Sequence, residues 1–288
     1  MQNRSIASNL GVYVYAAGAI SLGLLGLASG DFATTWQHVG PNVPFRSALA
    51  YLTALIELGA GLALLWPRAA RMGALTLTVL YSIFTLIWLP TYFENPRNFD
   101  PLGNVFEEFS LVVAGAVLFA WLSPAGSLVA RREPLLAQLY GFSAISFGVG
   151  HIYYFPGILS WIPKWLPPSQ MFWEYATTIG FFMAAVAILT GVMAPLASRL
   201  VTAEILSFEL LVWIPKLIAG PQQHGNWAGN AISIALSGAP WVVADSICRR
   251  AKRVTAEEQT GSEMSVLREE VVPRARRAEV AEVGRRPL

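Results

Sequence analysis

The sequence predicts an all-α polytopic membrane protein. Eight transmembrane helices form two four-helix bundles in parallel repeat, followed by a charged C-terminal tail. Three observations carry this reading. The 288 residues are 55% hydrophobic and 13% charged, whereas soluble domains carry roughly 25% charge. Half of the 20 Lys and Arg residues, and 7 of the 18 Asp and Glu, fall in positions 249–288. The remainder has too little polar surface for a soluble globule. The chain also repeats itself at an offset of 125. Leu86, Trp88, Pro90 and Pro96 return as Leu211, Trp213, Pro215 and Pro221; Ala19, Ile20, Ser21 and Gly23 return as Ala144, Ile145, Ser146 and Gly148. Two distant matches at one offset mark a duplicated unit.

Taken in order, residues 1–9 are polar and 10–29 form the first apolar run, about the 20 residues a helix needs to cross a bilayer. That is too long for a signal-peptide core, so it reads as a retained span. A loop at 31–44 carries Trp36 and His38. Span two is 46–66, span three 71–90, and span four 104–122 after a polar, proline-rich stretch at 91–103. The second half repeats the plan with spans at 134–154, 170–193, 199–215 and 226–248, and with a Trp- and Pro-rich stretch at 155–169. Runs this long and continuously apolar are helices rather than the alternating, ~10-residue strands of a barrel. Small residues such as Gly18, Gly23, Gly115 and Gly238 let helix backbones approach closely. The domains are therefore 1–125 and 134–248, with the tail at 249–288 expected to be a frayed helix or disordered. Four crossings per unit make the units parallel, related by an axis along the membrane normal.

Orientation follows from basic residues near span ends. Arg4, Arg68, Arg71, Arg131, Arg132, Arg199, Arg249, Arg250, Lys252 and Arg253 share one side; Arg46, Arg97, Lys164 and Lys216 share the other. Both termini are expected in the cytoplasm, in the plasma (inner) membrane. His38, His151 and His224 then face outward with Trp36, Trp88, Trp161, Trp165, Trp213 and Trp227, which read as an interfacial aromatic belt. The basic residues serve topology rather than nucleic acid, and the single Cys248 excludes an intramolecular disulfide and any CxxC motif.

Ionisable groups inside a membrane are costly and mark site candidates. Glu57 and Glu209 lie mid-span, with Glu204 near Glu209. Glu107 and Glu108 sit one turn inside span four, where one can face the bundle and the other water. As functional groups, Glu57, Glu107 and Glu209 exchange protons or bind a ligand in a cavity. The plainer account makes them neutral carboxyls bonded to a neighbouring helix. His151 is the one histidine placed to project from a helix, and the three share no metal motif. Lys216 can snorkel, pair with Glu174 or bind an anion. Phosphate loops, HExxH and nucleophile elbows are missing from the sequence.

His224-Gly225-Asn226-Trp227, then Asn230 and Ser237-Gly238-Ala239, resembles the final helix of DoxX-like membrane proteins. The four-span unit with Trp-x-Pro closing its third helix, at Trp88 and Trp213, is similar too. The resemblance implies a membrane component of a quinone-linked redox system, with no intrinsic cofactor and a partner subunit supplying the redox centre. The pocket it implies is drawn from Glu57, Glu107, Glu209, His151, Asn226, Asn230, Trp88 and Trp213. This chain departs from the family in carrying two units and a long tail. The alternatives are a membrane scaffold or assembly chaperone holding another membrane protein, and a small-molecule transporter with a site between the halves.

Overall fold

A backbone in hydrocarbon must satisfy its own hydrogen bonds, so apolar runs of spanning length become helices. The computed structural model describes the backbone of residues 10–283, and side chains essentially as far as Arg253. Arg4, and the tail side chains other than the first few, lie outside the described residues. The elements are α1 (Leu10–Ser29), α2 (Arg46–Leu65), α3 (Ala70–Glu94), α4 (Phe99–Leu122), α5 (Leu128–Tyr153), a short α6 (Phe155–Trp161), α7 (Gln170–Thr190), α8 (Ala194–Phe208), a π-helical turn (Glu209–Trp213), α9 (Ile214–Ala219) and α10 (His224–Val283). Seven helices are long and apolar enough to cross a membrane: α1 to α5, α7, and α10 over His224–Arg253. Among the described residues there is no strand. The molecule is a polytopic all-α membrane protein.

Several helices are longer than the sequence indicates, and caps explain why. Pro90 does not end α3, which continues to Glu94; a proline removes one backbone donor and the turn survives. The stretch 91–103, read as a link, is mostly helix. Asn98 caps α4 by accepting from the Asp100 N–H at 3.2 Å, and Asp100 then favours the N-terminal dipole. Ser127 does the same for α5, accepting from Ala130 N–H at 3.2 Å, so Arg131 and Arg132 lie in its first turns and Pro134 is interior. Ser169 caps α7 through the Phe172 N–H at 3.1 Å. Gly191, at φ 80°, ends that helix in the left-handed region that glycine tolerates. The span read at 199–215 begins earlier, at Ala194, and stays helical to Ala219 with a π-turn inside it.

The chain divides into two compact units, Met1–Ile247 and Cys248–Leu288. Both stretches read as separate bundles, 1–125 and 134–248, fall in the first unit apart from Cys248. There α1 packs on α2, α2 on α3, α3 on α4, α4 on α5, α5 on α7, and α7 on α8. The circuit closes where α1 meets α10. The Gly11 N–H donates to Asp245 Oδ2 at 3.1 Å. Gly18 lies so close to Ala235, and Gly238 to the backbone of Tyr15, that a Cβ at either would collide. Such close approach is what small residues provide where lipid is as apolar as the helices. The Tyr15 hydroxyl crosses to the Leu111 carbonyl at 2.8 Å, tying α1 to α4. The buried core runs through Tyr15, Tyr81, Leu118, Tyr140, Ile188 and Ile232. In the second unit the backbone is helical to Val283.

Candidate functional site

Where α3 and α5 end and α4 and α7 begin, the helices border a half-open cavity of about 670 Å³. Its wall draws on both halves of the sequence: Trp36 from the 31–44 loop, Trp88 of α3, Glu107 of α4, His151 of α5, Trp161 of α6, Phe208 of α8, Trp213 of the π-turn and Ser233 of α10. Most of the lining is aromatic or aliphatic, with few polar groups.

Trp36 organises one side. Its indole N–H donates to Glu107 Oε2 at 2.6 Å. The Trp88 indole N–H donates to the Trp36 carbonyl at 3.0 Å, and His38 stacks on Trp88 at 4.1 Å. The loop is anchored further by the Arg46–Asp31 ion pair and by His224, whose Nε2 donates to the Phe32 carbonyl at 2.9 Å. Trp36 thus becomes a wall of the cavity, with its ring edge-on to Trp213 at 5.8 Å.

The π-turn positions Trp213. A Cβ on Gly229 would strike the Trp213 ring, so glycine there lets the indole lie directly on α10. The wider turn shifts the helix's hydrogen-bond register, and the Asn230 amide donates to the Trp213 carbonyl at 3.0 Å. Lys216 Nζ lies 3.8 Å above the Trp161 ring and 4.7 Å from Trp213, a cation–π arrangement. Glu174, its alternative partner, faces His151 instead.

The His151–Glu174 pair forms the other polar wall. His151 Nδ1 lies 3.2 Å from Glu174 Oε1 and 3.4 Å from the Thr177 hydroxyl. The imidazole is held between Phe181, at 5.3 Å, and Phe208, at 5.6 Å. Among the described residues, Nε2 has no protein partner. Glu174 on Nδ1 orients the ring, so the pair can hold or release a proton beside the cavity.

Of the residues singled out in the sequence, Glu107, His151, Trp88 and Trp213 line the cavity together. Asn230 stands behind Trp213. Asn226 is a bracket, its amide donating to the carbonyls of Lys216 at 3.0 Å and Gly220 at 2.9 Å. Glu209 is buried and neighbours Ser233, which does line the cavity. Glu57 lies elsewhere, within the first half, where Gln37 Nε2 donates to it at 2.7 Å. Neither Glu107 nor Glu108 looks toward bulk water: one faces the cavity, and the other is 1% exposed within the core. The tryptophans divide as well. Trp165 and Trp227 are exposed, 72% and 49%, as belt residues are; Trp36, Trp88 and Trp213 turn inward, and Trp161 lines the cavity while 43% exposed. Sequence alone places Trp36 in the interfacial belt and leaves Glu174 apart from His151. The clue to the first was an indole in a loop flanked by helices that carry buried carboxyls.

The fold and cavity define a class, a polytopic helical membrane protein with an aromatic-walled internal site. Comparison with family profiles, characterised proteins and solved structures finds no match to this chain.

Proposed function

We propose that the protein is a membrane-embedded binding component for a lipid-soluble, quinone-type ligand, serving a redox system whose electron carrier lies on a partner subunit. The observation that carries this reading is the joining of Glu107 and His151 at one aromatic-walled cavity of about 670 Å³. Apolar pockets with a few placed polar groups are the usual form of small-molecule sites. A quinone ring offers a flat apolar face for Trp36, Trp161 and Trp213 and carbonyl oxygens for hydrogen bonds. Its reduction consumes protons, which a carboxyl and a histidine can supply. The DoxX-like resemblance points the same way, and on this reading α8, the π-turn and α9 together make the seventh of eight crossings. On this reading the two halves are parallel repeats, the membrane is the inner membrane, and both termini are cytoplasmic.

The test is binding of a short-chain ubiquinone analogue to purified protein, followed by quenching of tryptophan emission. Saturable quenching is expected, weakened about 10-fold or more by Glu107→Gln combined with His151→Ala. That corresponds to two hydrogen bonds of about 1 kcal/mol each. Absence of saturable quenching in the unaltered protein would sink the reading.

A further inference from the structure

Behind His151 lie polar groups that ligand binding does not use. Tyr140 precedes His151 by eleven residues on α5. Eleven residues advance a helix about 16 Å and return to within about 20° of the same face, so both side chains stand on one stripe. Tyr140 is 0% exposed and its hydroxyl has no partner among the described residues. Across from α5, the antiparallel α7 supplies a depth scale: Gly148 meets Phe182, and Gly141 meets Leu189 and Ala185. Glu174 is at the His151 end of that scale. Glu204 of α8 comes next, its Oε2 3.5 Å from where a Cβ on Gly180 would lie. Gly180 is six residues, about 9 Å, further along α7 than Glu174. Tyr140 is deeper again, beside Gly141. Glu204 lies between the two, within electrostatic reach of Glu174 and of Tyr140.

Three oxygens along this line are buried without a partner among the described residues: Glu174 Oε2, Glu204 Oε1 and the Tyr140 hydroxyl. Interior polar atoms are nearly always hydrogen-bonded, and ordered water is the partner that remains. Carboxyls, a phenol and bridging water spaced in this way are the elements of a proton path.

We infer that His151, Glu174, Glu204 and Tyr140 form a proton relay running from the cavity into the layer between α5, α7 and α8. The relay rests on the quinone reading only for the identity of the group it serves. In one step, a proton reaches Glu174 Oε2 from Glu204 through water. His151 Nδ1 takes a proton from the Glu174 carboxyl, and Nε2 releases its own to an oxygen of the cavity ligand. Glu204 is refilled from the Tyr140 side. One proton enters and one leaves, so the charge of the relay is unchanged; His151 ends with its proton on Nδ1 instead of Nε2 and returns to the starting tautomer before the next transfer. Oxidation of a reduced ligand runs the same step in reverse.

The experiment follows deuterium uptake by the Glu174 carboxyl, seen as the shift of its carbonyl stretch in infrared spectra of the full chain in lipid. Glu174→Gln identifies the band. A His151→Gln background closes the cavity route while keeping a hydrogen bond to Glu174. In that background, Tyr140→Phe and Glu204→Gln are each expected to slow uptake about 100-fold, the lower end of what a positioned proton-transfer group contributes. Glu108→Gln, a buried carboxyl in the first half, should leave the rate unchanged. Tyr140→Phe removes a hydroxyl without a partner among the described residues, so its melting temperature should match that of the parent, which separates a relay role from a folding role. Unchanged uptake in both Tyr140→Phe and Glu204→Gln would overturn the relay. The quinone reading is judged apart, by analogue binding to the unaltered protein and to Tyr140→Phe, which should agree. If no analogue binds but uptake slows, the relay stands and the ligand is of another class.

Discussion

Trp36 has two ties, and they set what its replacement does. Its ring fills the cavity wall, and its N–H satisfies the Glu107 carboxyl. Trp36→Phe keeps most of the ring and leaves Glu107 without that donor. A buried acceptor stripped of its partner costs about 1–3 kcal/mol, so thermal unfolding in detergent should fall measurably. Gly229 predicts a cost of the opposite kind. Gly229→Ala puts a methyl where the Trp213 ring lies, and overpacking of this kind costs about 1–3 kcal/mol. Tryptophan emission should report the displaced indole alongside a lower melting temperature. At this scale the sequence was half legible. Glu107 and His151 stood out because ionisable groups in apolar runs are conspicuous. Trp36 and Tyr140 did not, nor did the pairing of Glu174 with His151, because these roles depend on which residue of another helix comes to face them.

Among the elements, spans were visible as apolar runs, but their ends were not. Pro90 and Pro134 read as boundaries and lie inside helices, because one missing donor does not outweigh the need to keep the rest of the backbone bonded in lipid. The π-turn at Glu209–Trp213 had no sequence signal beyond the unexplained shortness of its span. It carries one extra residue in the helical winding. Deleting Leu211 removes that extra residue and leaves α9 close to its register, whereas deleting Leu206 from the regular α-helical turn before it should rotate the π-turn and α9 by about 100° against the start of α8. Lys216 would leave Trp161, and Asn230 would lose the Trp213 carbonyl. The expected result is loss of analogue quenching with helix content, read by circular dichroism, nearly unchanged.

For the whole molecule, composition sufficed to show a polytopic helical membrane protein, since neither its charge content nor its run lengths fit a soluble fold. The cavity was not legible, because it is assembled from loop, α3, α4, α5, α6, α8 and α10 together. Sidedness is a prediction from basic residues. A reporter enzyme fused after Leu288 should be active only in the cytoplasm. A cysteine replacing His224 in a Cys248→Ser background should react with an impermeant maleimide from outside. Reaction only after the membrane is broken would reverse the orientation.

The seam between α1 and α10 sets a schedule for biogenesis. The bond from Gly11 to Asp245 joins residues 234 apart, and Gly18 has its close-packed partner only once Ala235 exists. At about 5–20 residues per second of synthesis, the first span waits roughly 10–50 s in the bilayer before its partner helix is made. During that interval its glycine face, shaped to receive another backbone, meets lipid alone. The newly inserted chain is therefore a different substrate for membrane quality control than the finished ring. Chains stopped before α10 should be degraded faster than the full-length protein, a difference a pulse-chase measurement would resolve.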